Sequence, residues 1–107
     1  MNAPKRSLGD LLARVPVTFR LPVTLNAPGG ADVVVEFEFK TRKTDDLRAY
    51  TARLESMKDE QAIAEACVGW DLEDKFGPAA IKKLCATVPS AGHSVVRAYL
   101  DAQYGNR

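Results

Sequence analysis

Hydrophobic and polar residues alternate one by one in two segments near the start of the chain, residues 17–25 and 33–41. This period of two is typical of β-strands that bury one face. The residues between them include Pro28, Gly29 and Gly30, which favour a turn, so the strands should pair as an antiparallel hairpin. Pro22 has no backbone N–H to donate, which predicts that the first strand lies at a sheet edge. The predicted apolar face of the hairpin contains Val17, Phe19, Leu21, Val35, Phe37 and Phe39.

From Thr44 onward the apolar residues recur every three or four positions, the spacing of amphipathic helices. Thr44 and Asp59 are the predicted caps of the first two helices, and Pro78 should open the third. The first helix is expected to cover the hairpin through Leu47, Tyr50 and Leu54. The pattern therefore predicts an α+β domain in which an N-terminal antiparallel hairpin packs on a C-terminal array of about four α-helices. These helices are predicted to start at residues 44, 59, 78 and about 90, and the last to end near residue 103.

The first residues of the chain have a different pattern. Ser7 can cap a short helix on which Leu8, Leu11 and Leu12 share one face, and Pro16 should end it. We therefore expect a flexible N-terminal arm over residues 1–14 and one domain over residues 15–107, since a chain of 107 residues is typical of a single domain.

Composition and charge exclude several classes of protein. The chain has 15 basic and 14 acidic residues, a net charge of +1, which argues against binding nucleic acid by neutralising phosphates. It has no apolar run long enough to span a membrane, and its first residues lack the apolar core of a secretory signal. We therefore expect a cytoplasmic protein whose two cysteines, Cys67 and Cys85, are reduced.

Side chains suited to catalysis or metal binding are few and scattered. Cys67, Cys85 and His93 supply only three zinc ligands, at an unsuitable spacing. The acidic residues in segment 71–74 have no nucleophile beside them, and the last predicted helix carries one basic residue, Arg97, too few to read DNA. The sequence therefore predicts no catalytic residue, no cofactor and no metal ion.

The only tryptophan of the chain, Trp70, stands between Gly69 and Asp71. Tryptophan tends to anchor the residues around it because its side chain buries a large area. Gly69 can end a helix in the left-handed conformation, which predicts a helix–helix corner at this point. At that corner Trp70 should be mostly buried, with Cys67, Ile81, Leu84 and Val96 as neighbours.

The tryptophan segment also carries a resemblance to a known family. Gly69-Trp70-Asp71-Leu72, the acidic residues after it, the step Val88-Pro89-Ser90-Ala91 and the closing Ala98-Tyr99-Leu100 are similar to the tail assembly chaperones of long-tailed bacteriophages and prophages. The clear similarity covers about residues 60–104; the short step Phe76-Gly77-Pro78 departs from relatives that carry a longer turn. The resemblance implies a structural role for Gly69, Trp70, Asp71, Leu72, Pro89, Tyr99 and Leu100.

The resemblance implies a non-enzymatic assembly factor. Such chaperones bind the tape measure protein before the tail tube polymerises around it, and they are absent from the mature virion. They act in the cytoplasm of the infected or lysogenic bacterial host. In many members a translational frameshift yields a longer form that helps to recruit subunits of the tail-tube (major tail) protein.

Two surfaces are candidates for partner binding. One is the arm, with Leu8, Leu11 and Leu12, and the other is the hairpin edge around Arg20, Pro22 and Thr24. Unpaired backbone groups at that edge predict weak self-association, and apolar surface predicts binding to apolar helices. The alternative is a small protein–protein interaction or adaptor module of another pathway. A neighbouring tape measure gene would favour the chaperone.

Overall fold

Two strands, β1 (Thr18–Asn26) and β2 (Asp32–Lys40), form the antiparallel hairpin that the alternating pattern predicts. The structure is a computed structural model and describes residues 7–106. The other elements in this range are α1 (Leu8–Leu12), α2 (Thr44–Arg53) with a 3-10 turn at Leu54–Ser56, α3 (Asp59–Ala66), β3 (Cys67–Trp70), α4 (Pro78–Thr87) and α5 (Ala91–Tyr104). The predicted α+β class, with strands mainly first and helices mainly last, is confirmed. Residues 1–6 of the predicted arm and Arg107 lie outside the described residues.

The hairpin has the expected register. Phe19 lies opposite Phe39 and Leu21 opposite Phe37, so the apolar side chains of both strands share one face. The connection is a turn in which Gly29 and Gly30 have φ of 91° and 86°, values that favour glycine. One part of the predicted face is wrong. Val17 precedes β1 and is 86% exposed, whereas the buried strand residues are Val23, Leu25, Val35, Phe37 and Phe39.

The tryptophan segment is a strand, and the prediction of a helix–helix corner there is wrong. Helix α3 already ends at Ala66, and Cys67 has the extended conformation, with φ −112° and ψ 154°. Strand β3 pairs antiparallel with β2, which gives a three-stranded sheet in the order β1-β2-β3. Gly69 lies opposite Glu38 within this pairing and does not adopt a positive φ. The free side of β2 gains hydrogen-bond partners in this way, while β1 stays at the edge, as Pro22 predicts.

Two predicted helix caps are displaced by one residue. Lys43 and Lys58 occupy the cap positions of α2 and α3, and neither makes a side-chain capping bond. Thr44 and Asp59 are the first helical residues instead. The acidic residues at the start of both helices still lie at the positive end of the helix dipole, so electrostatics supports these starts without a capping side chain.

The hydrophobic core lies between the sheet and the helices, and α5 supplies the aromatic ring that stacks on the sheet. The ring of Tyr99 lies 5.3 Å from that of Phe39 and 6.3 Å from that of Phe19, and it meets the ring of Tyr50 edge-on at 5.7 Å. Leu47 and Tyr50 of α2 are buried in the same core, and Leu54 is partly buried against it. Helix α2 thus shares one core with the hairpin, as expected, and α5 also packs directly on β1. Helix α5 meets α2 through the rings of Tyr99 and Tyr50.

Within residues 7–106, no helix is both long and apolar enough to cross a membrane.

Candidate functional site

Helix α1 presents an apolar surface to solvent. The Ser7 hydroxyl accepts a hydrogen bond from the Asp10 backbone N–H at 3.0 Å, which caps the helix as the sequence predicts. Leu8, Leu11 and Leu12, at spacing i, i+3, i+4, share one side of the helix and are 69%, 61% and 60% exposed. We refer to these three residues as the α1 ridge. An uncovered apolar ridge on a short helix is typical of a surface that binds a partner.

A groove of about 840 Å³ lies between α5 and the inner side of β1. We call it the α5–β1 groove. The buried hydroxyl of Thr41 lines it without a hydrogen-bond partner among residues 7–106. Its apolar lining comes from the segment before β1, from β1 and from α5: Val15, Pro16, Phe19, Leu21, Ala98 and Ala102. Arg14, Asp101, Gln103 and Asn106 complete the lining.

A second groove, of about 370 Å³, lies beside the other side of α5, next to α3. Gly92 of α5 and Asp59 of α3, which both line it, lie close together. The rest of the lining is apolar with a charged or polar rim: Leu54, Met57, Ala62, Val96 and Leu100, then His93, Arg97 and Asp101. Sequence reasoning missed both grooves because their lining residues come from segments that are distant along the chain.

The predicted hairpin-edge residues lie on the outer face of the sheet, apart from both grooves. Arg20, Pro22 and Thr24 are exposed along β1. The Arg20 guanidinium lies 3.5 Å from a Glu36 carboxylate oxygen and 3.8 Å from one of Glu38. These contacts are solvent-exposed, so they contribute little to stability. The structure thus separates these edge residues, of which Arg20 is ion-paired, from the apolar α1 ridge.

Two of the first four motif residues, Trp70 and Asp71, contact β2 and the turn after β3. Asp71 exchanges two hydrogen bonds with Glu36: its backbone N–H donates to the Glu36 carbonyl, and its carboxylate accepts from the Glu36 N–H, both at 3.0 Å. Trp70 is half-buried, and its indole N–H donates to the Asp74 carbonyl at 2.7 Å. Leu72 is exposed in the turn. Trp70 is thus less buried than predicted, and its aromatic neighbours are Phe37 and Phe76.

The remaining motif residues lie at or near α5. Pro89 falls between α4 and α5, and Leu100 is a half-buried residue of the groove beside α3. Tyr99 is buried and its hydroxyl donates to the Lys40 carbonyl at 2.9 Å, which ties α5 to the end of β2. Burial also raises the pKa of Tyr99, so this hydroxyl keeps its proton.

The geometry does not activate the candidate reactive side chains. Burial raises the pKa of the Cys67 thiol to about 12, so it is not a thiolate near neutral pH. Burial also raises the pKa of the half-buried Cys85 thiol. His93 lines the groove beside α3. In the described part of the chain, no three His, Cys, Asp or Glu side chains lie close enough to hold a metal ion.

Comparison with known proteins shows the family of the chain. A family model described as phage tail assembly chaperone matches residues 8–107, nearly the whole sequence. No curated protein and no solved structure matches the chain. The match includes α1, all three strands and the tryptophan segment. The chain belongs to the phage tail assembly chaperone family.

Proposed function

We propose that this protein binds the tape measure protein during tail morphogenesis, in the cytoplasm of the infected or lysogenic bacterial host, and is absent from the mature virion. Membership of the family supports a role in tail assembly, implies interaction with phage tail proteins and implies a non-enzymatic role. A longer, frameshifted form that recruits tail-tube subunits is a further part of the proposal. Family membership does not say which tail protein is bound, and the proposal names the tape measure protein as that partner, or client.

The exposed α1 ridge is the observation that supports binding to the tape measure protein. A long helical protein with apolar stripes aggregates in water until another apolar surface covers it. Leu8, Leu11 and Leu12 present such a surface, at the spacing that pairs with another amphipathic helix. Three leucines form a small contact, so one copy binds weakly and can be displaced when the tail tube assembles. Several copies along one client bind with avidity.

The hairpin edge is the second proposed contact. Arg20, Pro22 and Thr24 lie exposed at the free edge of the sheet, where another strand can pair. Pro22 removes one donor from that edge, which keeps the pairing weak. Weak self-association between copies of the chaperone is therefore part of the proposal.

Co-expression with the tape measure protein encoded by the same phage or prophage tests the proposal. The wild-type chain should keep the tape measure protein in the soluble fraction and co-purify with it. Leu12→Glu should abolish both effects because it places a charge in the apolar ridge. Val34→Glu is the matched control, since Val34 on β2 is 62% exposed and Leu12 is 60% exposed. A tape measure protein that is equally insoluble with and without the chaperone would contradict the proposal.

A further inference from the structure

We draw no further inference here: the strongest candidate, the apolar α5–β1 groove, carries nothing because nothing in the structure shows what covers it.

Discussion

The indole ring of Trp70 meets the ring of Phe37 edge-on, with 6.1 Å between the ring centroids and 70° between the ring planes. The contact exists because β3 pairs with β2 and places Trp70 opposite Phe37. On its other side Trp70 meets Phe76 at 5.0 Å, and its N–H binds the Asp74 carbonyl. These contacts of Trp70 join the third strand, the turn after it and the neighbouring strand β2.

Replacing Trp70 with alanine should lower the free energy of unfolding by about 2–4 kcal/mol, because the change removes two aromatic contacts and leaves a cavity beside the core. Trp70→Phe should lose less, about 1 kcal/mol, since it keeps a ring and removes the N–H donor. Urea unfolding measures both. Val68→Ala, in the same strand at an exposed position, should change stability by no more than about 0.5 kcal/mol. Equal losses for Trp70→Ala and Val68→Ala would contradict the anchoring role.

The hairpin could be predicted because each of its strands buries one face. Hydrophobic and polar residues therefore alternate with a period of two along each nine-residue strand. Strand β3 could not be predicted in this way. It has four residues, Cys67–Trp70, and follows directly on α3, whose buried Ala62, Ile63 and Ala66 continue a helical spacing. Its strand conformation depends on hydrogen bonds to β2, about thirty residues earlier in the chain, which a local pattern does not reveal.

The candidate site could be predicted only where it depends on a local sequence pattern. The α1 ridge is a local feature, and Ser7 with the three leucines was enough to place it. The grooves are not local. The α5–β1 groove joins Phe19 to Ala98, and this meeting depends on the packing of α5 on the sheet, where Tyr99 stacks on Phe39.

Gly92→Ala should destabilise the protein although alanine favours helices more than glycine does. A Cβ at position 92 would lie about 2.5 Å from the Cβ of Asp59, so α3 and α5 would have to separate. We expect a loss of about 1–3 kcal/mol in the free energy of unfolding, measured by urea denaturation. Gly9→Ala in α1 is the matched control. Its new Cβ would meet nothing closer than the Ser7 hydroxyl at 3.8 Å, so stability should stay the same or rise slightly. A stabilised Gly92→Ala protein would refute the close packing of α3 on α5.

Alkaline pH should destabilise the protein through its buried thiol and phenol groups. Burial raises the pKa of Cys67 from 9.0 to about 12, so the unfolded chain releases this proton at a lower pH than the folded chain does. The unfolded state then binds fewer protons, and the free energy of unfolding falls as pH rises from about 9 towards 12. Burial also raises the pKa of Tyr50 and that of Tyr99, which act in the same direction.

The contribution of Cys67 can be isolated by its removal. Urea denaturation of Cys67→Ala across the same pH range should show a shallower decline than that of the wild type, whatever the variant loses at neutral pH. Identical slopes for the two proteins would show that the Cys67 thiol titrates alike in the folded and unfolded states.

Arg42 joins three parts of the fold although it lies in a connecting segment. Its side chain is 9% exposed, and its guanidinium donates to the Asp46 carboxylate at 3.0 Å and to the Glu65 carbonyl at 2.6 Å. The guanidinium carbon also lies 4.6 Å from the centre of the Tyr50 ring. The backbone N–H of Arg42 donates to the Gln103 side chain at 2.6 Å. The start of α2, the end of α3 and the end of α5 therefore meet at one residue.

Arg42→Ala should lower the free energy of unfolding by about 1–3 kcal/mol, because it removes a partly buried charge-assisted hydrogen bond to the Glu65 carbonyl, an ion pair with Asp46 and a contact with an aromatic face. Arg42→Lys should restore only part of this loss, since an ammonium group cannot reach both acceptors with the fixed fork of a guanidinium. Arg97→Ala is the control: Arg97 is 72% exposed and lies 3.9 Å from Asp101, so its removal should change stability by no more than about 0.5 kcal/mol. Urea denaturation of the three variants measures the contrast. If Arg42→Ala loses no more than Arg97→Ala, or if lysine restores full stability, Arg42 does not hold the three helices together.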